Sequence, residues 1–261
     1  MKKLLLAIAL VTAVGCSSTP YDVRESREPF PPPDLQSLSP VERLGYTIYR
    51  HDRAAWSATD QALAQGLTET PAAGWITVEQ DFGSILVRFA GPCGDTVCSY
   101  IDVATGSGTA IVTRGAPDPL PPDQAGAWQA RKLVSSAEFH PCTPTYNTVV
   151  LPTQHDGQPA WVVYLLASST EPDDVILTGH YRFTVSFEGD RILKAEPLSK
   201  SCIVSKAKES LVAPFVTHIL HPEPIETHVF TSLDYHLPLY VMTEKGMYEV
   251  RGARIRFVEA R

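Results

Sequence analysis

The sequence predicts an α+β fold that is mostly antiparallel β, with one helix near its N-terminus. Apolar residues recur at helical spacing over residues 39–66. Beyond residue 66, apolar and polar residues alternate with the two-residue period of strands. Short runs of Gly, Asp and Glu separate several of these alternating segments, which is typical of the tight turns that join antiparallel neighbours.

The first sixteen residues indicate export. Lys2 and Lys3 precede an apolar run at residues 4–14, which is too short to span a bilayer because a spanning helix needs about 20 residues. The run ends in Ala13-Val14-Gly15-Cys16, which resembles the lipobox of bacterial lipoproteins. The resemblance implies that residues 1–15 are a signal peptide and that Cys16 carries diacylglyceryl and an acyl chain such as palmitate. A plain secretory signal followed by an incidental cysteine is the alternative.

The composition limits the partners of the exported chain. Without residues 1–15 it has 246 residues, enough for one large domain, with 20 basic and 29 acidic side chains and a net charge of −9. Nucleic acids and anionic lipid surfaces attract basic proteins, so this balance argues against both as electrostatic partners. The sequence contains no second long apolar run, so it predicts no further membrane-spanning segment.

Residues 16–38 are predicted to be a lipidated, proline-rich tether. Five prolines lie between residues 17 and 39, among charges and without apolar periodicity, a composition typical of semi-extended linkers. Enterobacterial lipoproteins that stay in the inner membrane usually have Asp after the lipidated cysteine, where this chain has Ser17. By resemblance to that sorting pattern, we expect an outer-membrane anchor with the domain in the periplasm.

Residues 39–66 form the clearest predicted helix. Ser39 is a good N-cap, Pro40 suits the first helical position and Glu42 can complete a capping box. Gly66 is a typical helix stop. We interpret the apolar stripe as a core face; a binding face is the alternative. Its members are Val41, Leu44, Ile48, Ala55 and Ala62, widened by Tyr49, Trp56 and Leu63.

The rest of the chain predicts short strands with one or two further helical segments. A helix is expected over residues 123–136 and a short one over 205–212, which Pro214 would end. Residues 39–261 are predicted to form a single β-rich domain, whose one internal boundary would be the proline-rich stretch 116–122. The predicted strands lie within residues 75–91, 99–115, 148–152, 160–169, 180–198, 227–233, 238–244, 246–250 and 253–259.

The cysteines other than Cys16 predict two disulfide bonds, because an even number in an exported chain favours pairing. Four cysteines allow three pairings. We favour Cys93–Cys98, since the Gly and Asp between them suit a tight turn, and Cys142–Cys202 then follows. A metal or redox site is the alternative, but Cys93 and Cys98 have four residues between them where such sites usually have two.

A group of histidines is the densest set of candidate metal ligands. His218, His221, His228 and Glu226 combine imidazole with carboxylate oxygen, the ligands that zinc and copper prefer, and Glu223 and His236 lie nearby. His218 and His221 share a face only on a helix, whereas prolines follow them directly. A zinc-dependent hydrolase that uses this group is therefore the alternative function. Ordinary surface or strand histidines are the competing interpretation.

The polar and aromatic residues His180, Tyr181 and Arg182, near the start of a predicted strand, are a candidate site for an anionic group. A strand with two mixed faces explains the same residues without a ligand.

Two resemblances bear on function. The lipobox with its tether, and the run HYRFTVSFEGDRILKAEPLSKSC at residues 180–202, resemble uncharacterised periplasmic lipoproteins of gamma-proteobacteria. The anchor, tether, disulfide-braced β-rich domain and acidic charge are also similar to lipoproteins that bind or inhibit envelope enzymes, including toxin-immunity lipoproteins. This similarity implies a non-enzymatic binding or inhibitor protein of the envelope, without a cofactor. An envelope protein or a cell-wall enzyme would be its partner, since acidic charge steers basic partners.

The lipobox prediction has a direct test. Replacing the predicted acceptor, Cys16→Ser, should abolish incorporation of radiolabelled palmitate, because serine has no thiol for the diacylglyceryl group. Immunoprecipitation from labelled cells measures this, with the wild-type chain as the control. Equal labelling of the two chains would contradict the assignment.

Overall fold

A computed structural model describes residues 24, 26–106, 110–207 and 212–260. Within these residues the chain forms three α-helices and fourteen strands. The helices are α1 (Pro40–Ala64), α2 (Pro122–Ser135) and α3 (Glu226–Asp234). The strands are β1 (Gly74–Glu79), β2 (Ile85–Cys93), β3 (Thr96–Thr105), β4 (Ile111–Pro119), β5 (Thr145–His155), β6 (Gln158–Ser168), β7 (Asp174–Ile176), β8 (Tyr181–Ser186), β9 (Ile192–Pro197), β10 (Val204–Lys206), β11 (Phe215–Thr217), β12 (Leu239–Met242), β13 (Met247–Arg251) and β14 (Arg254–Glu259).

The first sheet is an antiparallel meander with the order β1-β2-β3-β4. Alternate residues of its two central strands, among them Val87 and Val103, are buried and pack on α1. The helix meets them with the small side chains of Ala54 and Ala58, which are also buried. The alternation of β2 therefore comes from having one face covered by a helix.

The second sheet, β5-β6-β8-β9, is also antiparallel and is the centre of the molecule. Both of its faces are covered. On one face Val163 and Phe183 pack with Trp128 of α2, and on the other Tyr164 packs with Phe230 of α3. Burial on both faces explains why β6 is apolar almost throughout instead of alternating.

The C-terminal sheet has the order β11-β12-β13-β14, in which β11 pairs with β12 in parallel and the other neighbours are antiparallel. Helix α3 lies between this sheet and the second one. Its Val229 and Leu233 pack with Val241 and Val250 of the C-terminal sheet. Strands β7 and β10 form a separate antiparallel pair.

The mixed, mostly antiparallel fold is confirmed, and so is the helix after Ser39. The hydroxyl of Ser39 accepts a hydrogen bond from the amide of Glu42, whose carboxylate accepts one from the amide of Ser39 in turn, as the predicted capping box requires. The fold class with a single N-terminal helix is wrong, since α2 and α3 are also present. Helix α2 confirms the further helix expected over residues 123–136, whereas α3 was not expected.

Helix α3 replaces the strand predicted at residues 227–233. All nine of its residues are buried, so it has no polar face and no helical stripe that a sequence pattern could detect. Its start is stabilised by the amide of Ile225, which donates to Nδ1 of His228 at 3.0 Å. The first residues of the short helix expected over residues 205–212 are not helical, because residues 204–206 form strand β10, which pairs with β7. Residues 208–211 lie outside the described part of the chain.

The two predicted cysteine pairs are bonded in the structure. The Cα atoms of Cys93 and Cys98 lie 5.7 Å apart and those of Cys142 and Cys202 lie 5.4 Å apart, both within the usual range for disulfides. The short bond closes the β2–β3 hairpin, and the long one joins the segment before β5 to the segment after β9.

The predicted lipidation site, Cys16, and the predicted signal peptide lie outside the described residues. Among the described helices, none is long and apolar enough to cross a membrane.

The two disulfides should differ in their effect on stability. Replacing Cys142 and Cys202 together by Ala should lower the free energy of unfolding by about 4 kcal/mol, because the bond spans 60 residues and restrains the unfolded chain strongly. The matched pair Cys93→Ala and Cys98→Ala should cost about 2 kcal/mol, since that bond spans only five residues. Urea unfolding measures both variants, and equal losses would contradict this ranking.

Candidate functional site

A cavity of about 730 Å³ lies between α1, β1, the start of α2 and the second sheet. We call it the central cavity. Small-molecule sites usually have volumes of about 300–1,000 Å³, mainly apolar walls and a few placed polar groups. The apolar part of the wall consists of Leu44, Ile76, Val78, Ala127, Val150, Leu151, Pro152, Trp161 and Val162.

The register of the second sheet places a row of polar side chains in this wall. Tyr164 of β6 lies opposite Arg182 of β8, which lies opposite Glu196 of β9. Directly opposed residues share a face of the sheet, so the three side chains point to the same side. The neighbouring row, Val162, Thr184 and Lys194, follows the same rule.

Arg182 is the centre of a charge-balanced network at this wall. Its Nη1 donates to Oε1 of Glu226 at 2.8 Å, and its Nε and Nη2 donate to the two oxygens of Glu196 at 3.2 Å each. Nζ of Lys194 lies 2.9 Å from Glu196, and the hydroxyl of Tyr164 donates to Glu226 at 2.9 Å. Burial and the Glu226 charge raise the pKa of Tyr164 above its ordinary value. Two cations and two anions thus neutralise one another, and the bond to Glu226 attaches α3 to the sheet.

Helix α1 contributes a second polar group to the cavity. Leu44, Thr47 and His51 follow one another at helical spacing and line the same wall. His51 is 3 % exposed, and its Nδ1 lies 2.7 Å from the hydroxyl oxygen of Thr77 in β1. Its other ring nitrogen, Nε2, is buried without a hydrogen-bond partner among the described residues. Burial lowers the pKa of His51 to about 4, so the ring is neutral at physiological pH.

The exposed lining residues mark the mouth of the central cavity. Glu79, Asp123, His155 and Lys194 line it and are also in contact with solvent. Glu79 is paired with Arg50 at 2.7 Å, and Lys194 with Glu196. The deep part of the cavity is therefore apolar apart from a few polar groups, whereas charge is concentrated at its rim and in the paired network.

The candidate metal ligands lie behind this wall. The ring centroids of His218 and His228 are 4.7 Å apart, and those of His218 and His221 are 5.6 Å apart. Glu226 lies at the start of the same helix as His228, but its Oε1 is engaged by Tyr164 and Arg182. Within the described residues, no three His, Cys, Asp or Glu side chains are arranged so that they could hold a metal ion. The metal site stays a prediction.

His180 joins this histidine group, which the sequence did not indicate. Its Nδ1 accepts a hydrogen bond from the amide of Ala167 at 3.0 Å, and its ring lies edge-on to Phe230. Burial lowers the pKa values of His180 and His218 to about 4, and burial with the neighbouring histidines lowers that of His228 to about 3. These rings are neutral at physiological pH. His228 caps the start of α3, whereas Nε2 of His180 and Nε2 of His218 are buried without a hydrogen-bond partner among the described residues.

The predicted anion site at residues 180–182 is divided between three environments. His180 faces α3, the hydroxyl of Tyr181 donates to the carbonyl of His140 at 2.6 Å, and Arg182 is held by two carboxylates. The three side chains do not converge on one site. The anion prediction is therefore not supported by their arrangement, although Arg182 does line the central cavity.

A second cleft of about 360 Å³ lies beside α1 and is lined mostly by polar and charged residues. Asp52 and Asp234 line it; Nε of Arg24 donates to Asp234 at 3.0 Å, and Asn147 forms a hydrogen bond with Asp52. Burial, followed by the Asp234 charge, raises the pKa of Asp52 to about 7. Such a carboxyl can exchange a proton near neutral pH. The central cavity is larger and apolar, so it fits a small-molecule site better.

The sequence did not single out His51, Thr77, Tyr164 or Glu196. Only His51 carried a signal, since it lies between Ile48 and Ala55 on the predicted apolar stripe, where a polar residue is unexpected. The other three are ordinary members of alternating strands. No protein-family model, curated protein or solved structure matches this chain.

We expect the protein to lose stability as the pH falls from about 6.5 toward 4. The lowered pKa values of His51, His180, His218 and His228 mean that, in this window, the unfolded chain binds protons that the folded chain does not. Asp52 has the opposite effect on stability in this window. Its raised pKa lets the folded chain keep a proton that the unfolded chain releases. Unfolding near pH 5 should therefore take up about three protons.

Urea unfolding at several pH values between 7.5 and 5 gives the free energy of unfolding as a function of pH. The slope of that function is proportional to the number of protons taken up on unfolding. In His218→Phe, which removes one of the four groups, the slope should fall by about one proton. Thr231→Val changes a buried side chain that carries no charge, so it should keep the wild-type slope. A free energy of unfolding that is constant across this range would contradict the pKa assignments.

Proposed function

We propose that this chain is a non-enzymatic binding lipoprotein of the bacterial envelope, anchored through Cys16, that takes a small amphipathic molecule into the central cavity. The single observation that carries the proposal is a cavity of about 730 Å³ whose wall is mainly apolar and contains a few polar side chains, the combination that small-molecule sites usually have.

The rigidity of the wall also supports binding. The cavity lies against a sheet whose strands are paired along their length, and helix α3 is attached to that sheet by Arg182 and Glu226. A preformed pocket pays less ordering entropy when a ligand enters. The protein can therefore hold a ligand without rearranging its core.

A protein partner is compatible with the same proposal. The mature chain would carry a net charge of −9, which would steer basic envelope proteins toward it. A ligand in the cavity and a partner on the surface would make the protein a carrier or an inhibitor. Among such partners, basic cell-wall enzymes fit the charge.

A metal-dependent hydrolase is the second candidate function. Its support is that His218 contacts the rings of both His221 and His228. The described side chains would have to rearrange before three of them could bind one metal ion. It would require the Glu226 carboxylate to leave Arg182. Zinc retained through purification at one equivalent would favour this function over the first.

Binding in the cavity predicts a specific loss when the cavity is filled. The apolar fluorophore N-phenyl-1-naphthylamine should bind the wild-type chain and brighten. Val162→Phe replaces an isopropyl group in the wall by a larger phenyl ring and should weaken this binding at least about tenfold, because the added volume displaces the probe. Fluorescence titration measures the affinity.

The same substitution at an exposed strand position, Val204→Phe, is the matched control and should bind as the wild type does. Thermal unfolding of both variants shows that each remains folded. Equal binding by Val162→Phe and the wild type would place the probe outside the cavity and contradict the proposal.

A further inference from the structure

A smaller pocket, of about 210 Å³, has a basic group in a mainly apolar wall. It lies where the start of β1 meets α1 and α2, and it shares no lining residue with the central cavity. Trp75 of β1 and Phe89 of β2 are directly opposed in the first sheet, so their rings share a face. Among the described residues that line this pocket, which we call the Arg131 pocket, only Arg131 is charged.

The guanidinium group of Arg131 lies at the wall of this pocket. Its central carbon is 4.2 Å from the centroid of the Trp75 ring, over which the group is stacked. Its Nη1 lies so close to the backbone of Gly74 that a Cβ added there would clash with it. Gly74 and Trp75 both line the pocket, so the group that touches them is presented to the same space.

The charge of Arg131 is unpaired within the described part of the chain. Burial lowers the pKa of Arg131 to about 10, with no described carboxylate to counteract it, so the side chain is a cation at neutral pH. Its Nε is buried without a hydrogen-bond partner. Nη1 and Nη2 also form no hydrogen bond to a described residue, but they are in contact with solvent. In contrast, the half-buried guanidinium of Arg88 bonds to both carboxylate oxygens of Asp102.

The wall of the pocket favours a carboxylate over phosphate or sulfate. A carboxylate accepts two parallel hydrogen bonds from a guanidinium group, and Arg131 has two free terminal nitrogens. The hydroxyl of Thr59 already donates to a carbonyl of α1 at 2.7 Å, and the amides of Ala72 and Ala73 also donate within the protein. The further oxygens of phosphate or sulfate would therefore face apolar side chains without a donor, which is costly.

The size of the pocket limits the rest of the ligand. A dry cavity of about 150 Å³ holds benzene, so a pocket of about 210 Å³ has room for a carboxylate and a group of that size. The rings of Trp75 and Phe89 and the side chain of Leu67 offer this group apolar contacts.

We propose that the Arg131 pocket binds a carboxylate that carries a small apolar group, and that the carboxylate accepts hydrogen bonds from Nη1 and Nη2 of Arg131. This site is separate from the central cavity, so the inference goes beyond the proposed function. Free apolar acids and the C-terminal residues of peptides both have this chemistry.

Calorimetric titration with 3-phenylpropionate tests the inference on the chain from residue 17, which keeps every residue that the structure describes. The acid should bind at least about tenfold more tightly than its uncharged amide, because only the carboxylate forms charge-assisted hydrogen bonds with Arg131. It should also bind more tightly than inorganic phosphate. The peptide acetyl-Ala-Ala-Phe contains the same phenylpropionate unit at its carboxyl end. Tighter binding of the peptide than of the acid identifies a peptide terminus as the source, and equal or weaker binding identifies a free acid.

Two variants locate the binding at Arg131. Arg131→Met keeps an unbranched side chain that can pack on Trp75 but has no N–H group, and it should bind the acid at least about tenfold more weakly. Gly74→Ala should also weaken binding, because its methyl group displaces Nη1. Arg191→Met, the same substitution at an exposed arginine outside the pocket, is the control and should bind as the wild type does.

A measurement on the wild type removes the dependence on the folding of a variant. The indole ¹H–¹⁵N signal of Trp75, assigned with Trp75→Phe, should shift when 3-phenylpropionate is added. Absence of binding, equal affinity for acid and amide, tighter binding of phosphate, unchanged binding in Arg131→Met, or an unshifted Trp75 signal would overturn the proposal. N-phenyl-1-naphthylamine tests the central cavity, so none of these results changes the outcome for the proposed function.

Discussion

The rest of the fold depends on how the half-buried Arg182 is neutralised. A guanidinium group that is partly withdrawn from water is stable when it is paired and hydrogen-bonded, and here Glu196 and Glu226 supply both. Because Glu226 belongs to α3, the ion pair that neutralises Arg182 also holds this helix against the sheet. The start of α3 is further fixed by the bond between the Ile225 amide and His228. The C-terminal sheet then packs on the opposite side of α3 through Val229 and Leu233. One ion pair thereby links the central sheet to the last third of the chain.

Helix α1 explains why a cavity exists beside this network. It packs on the first sheet through small alanines, on the second sheet through Ile48, and close to α3 at Gly45, where a Cβ would meet Val229. A straight helix cannot contact two twisted sheets along its whole length. Beyond Ile48, toward β1 and the start of α2, α1 and the second sheet leave space for a ligand, with His51 in its wall. The cavity thus results from the way in which α1 packs between the first and the second sheet.

The sequence predicted those features that depend on local pattern. Helix α1, the hairpins and the two disulfides follow from periodicity, capping and spacing. Helix α3 could not be predicted from the sequence, because burial on all sides leaves no alternation of apolar and polar residues to detect. The central cavity could not be predicted either, since its wall combines side chains from α1, β1, α2 and four strands of the second sheet, which only tertiary packing brings together. Alternation in β8 shows that Arg182 and Thr184 share a face, but not that this face is covered by α1 and α3.

The most direct test of the central claim is the location of a bound ligand. With methyl-labelled, otherwise deuterated protein, nuclear Overhauser contacts can be measured between protons of N-phenyl-1-naphthylamine and individual methyl groups. The account predicts contacts to Ile76, Val150, Leu151 and Val162, which line the central cavity. Contacts confined to exposed methyls such as those of Val204 and Val212 would contradict it, because the ligand would then bind at the surface.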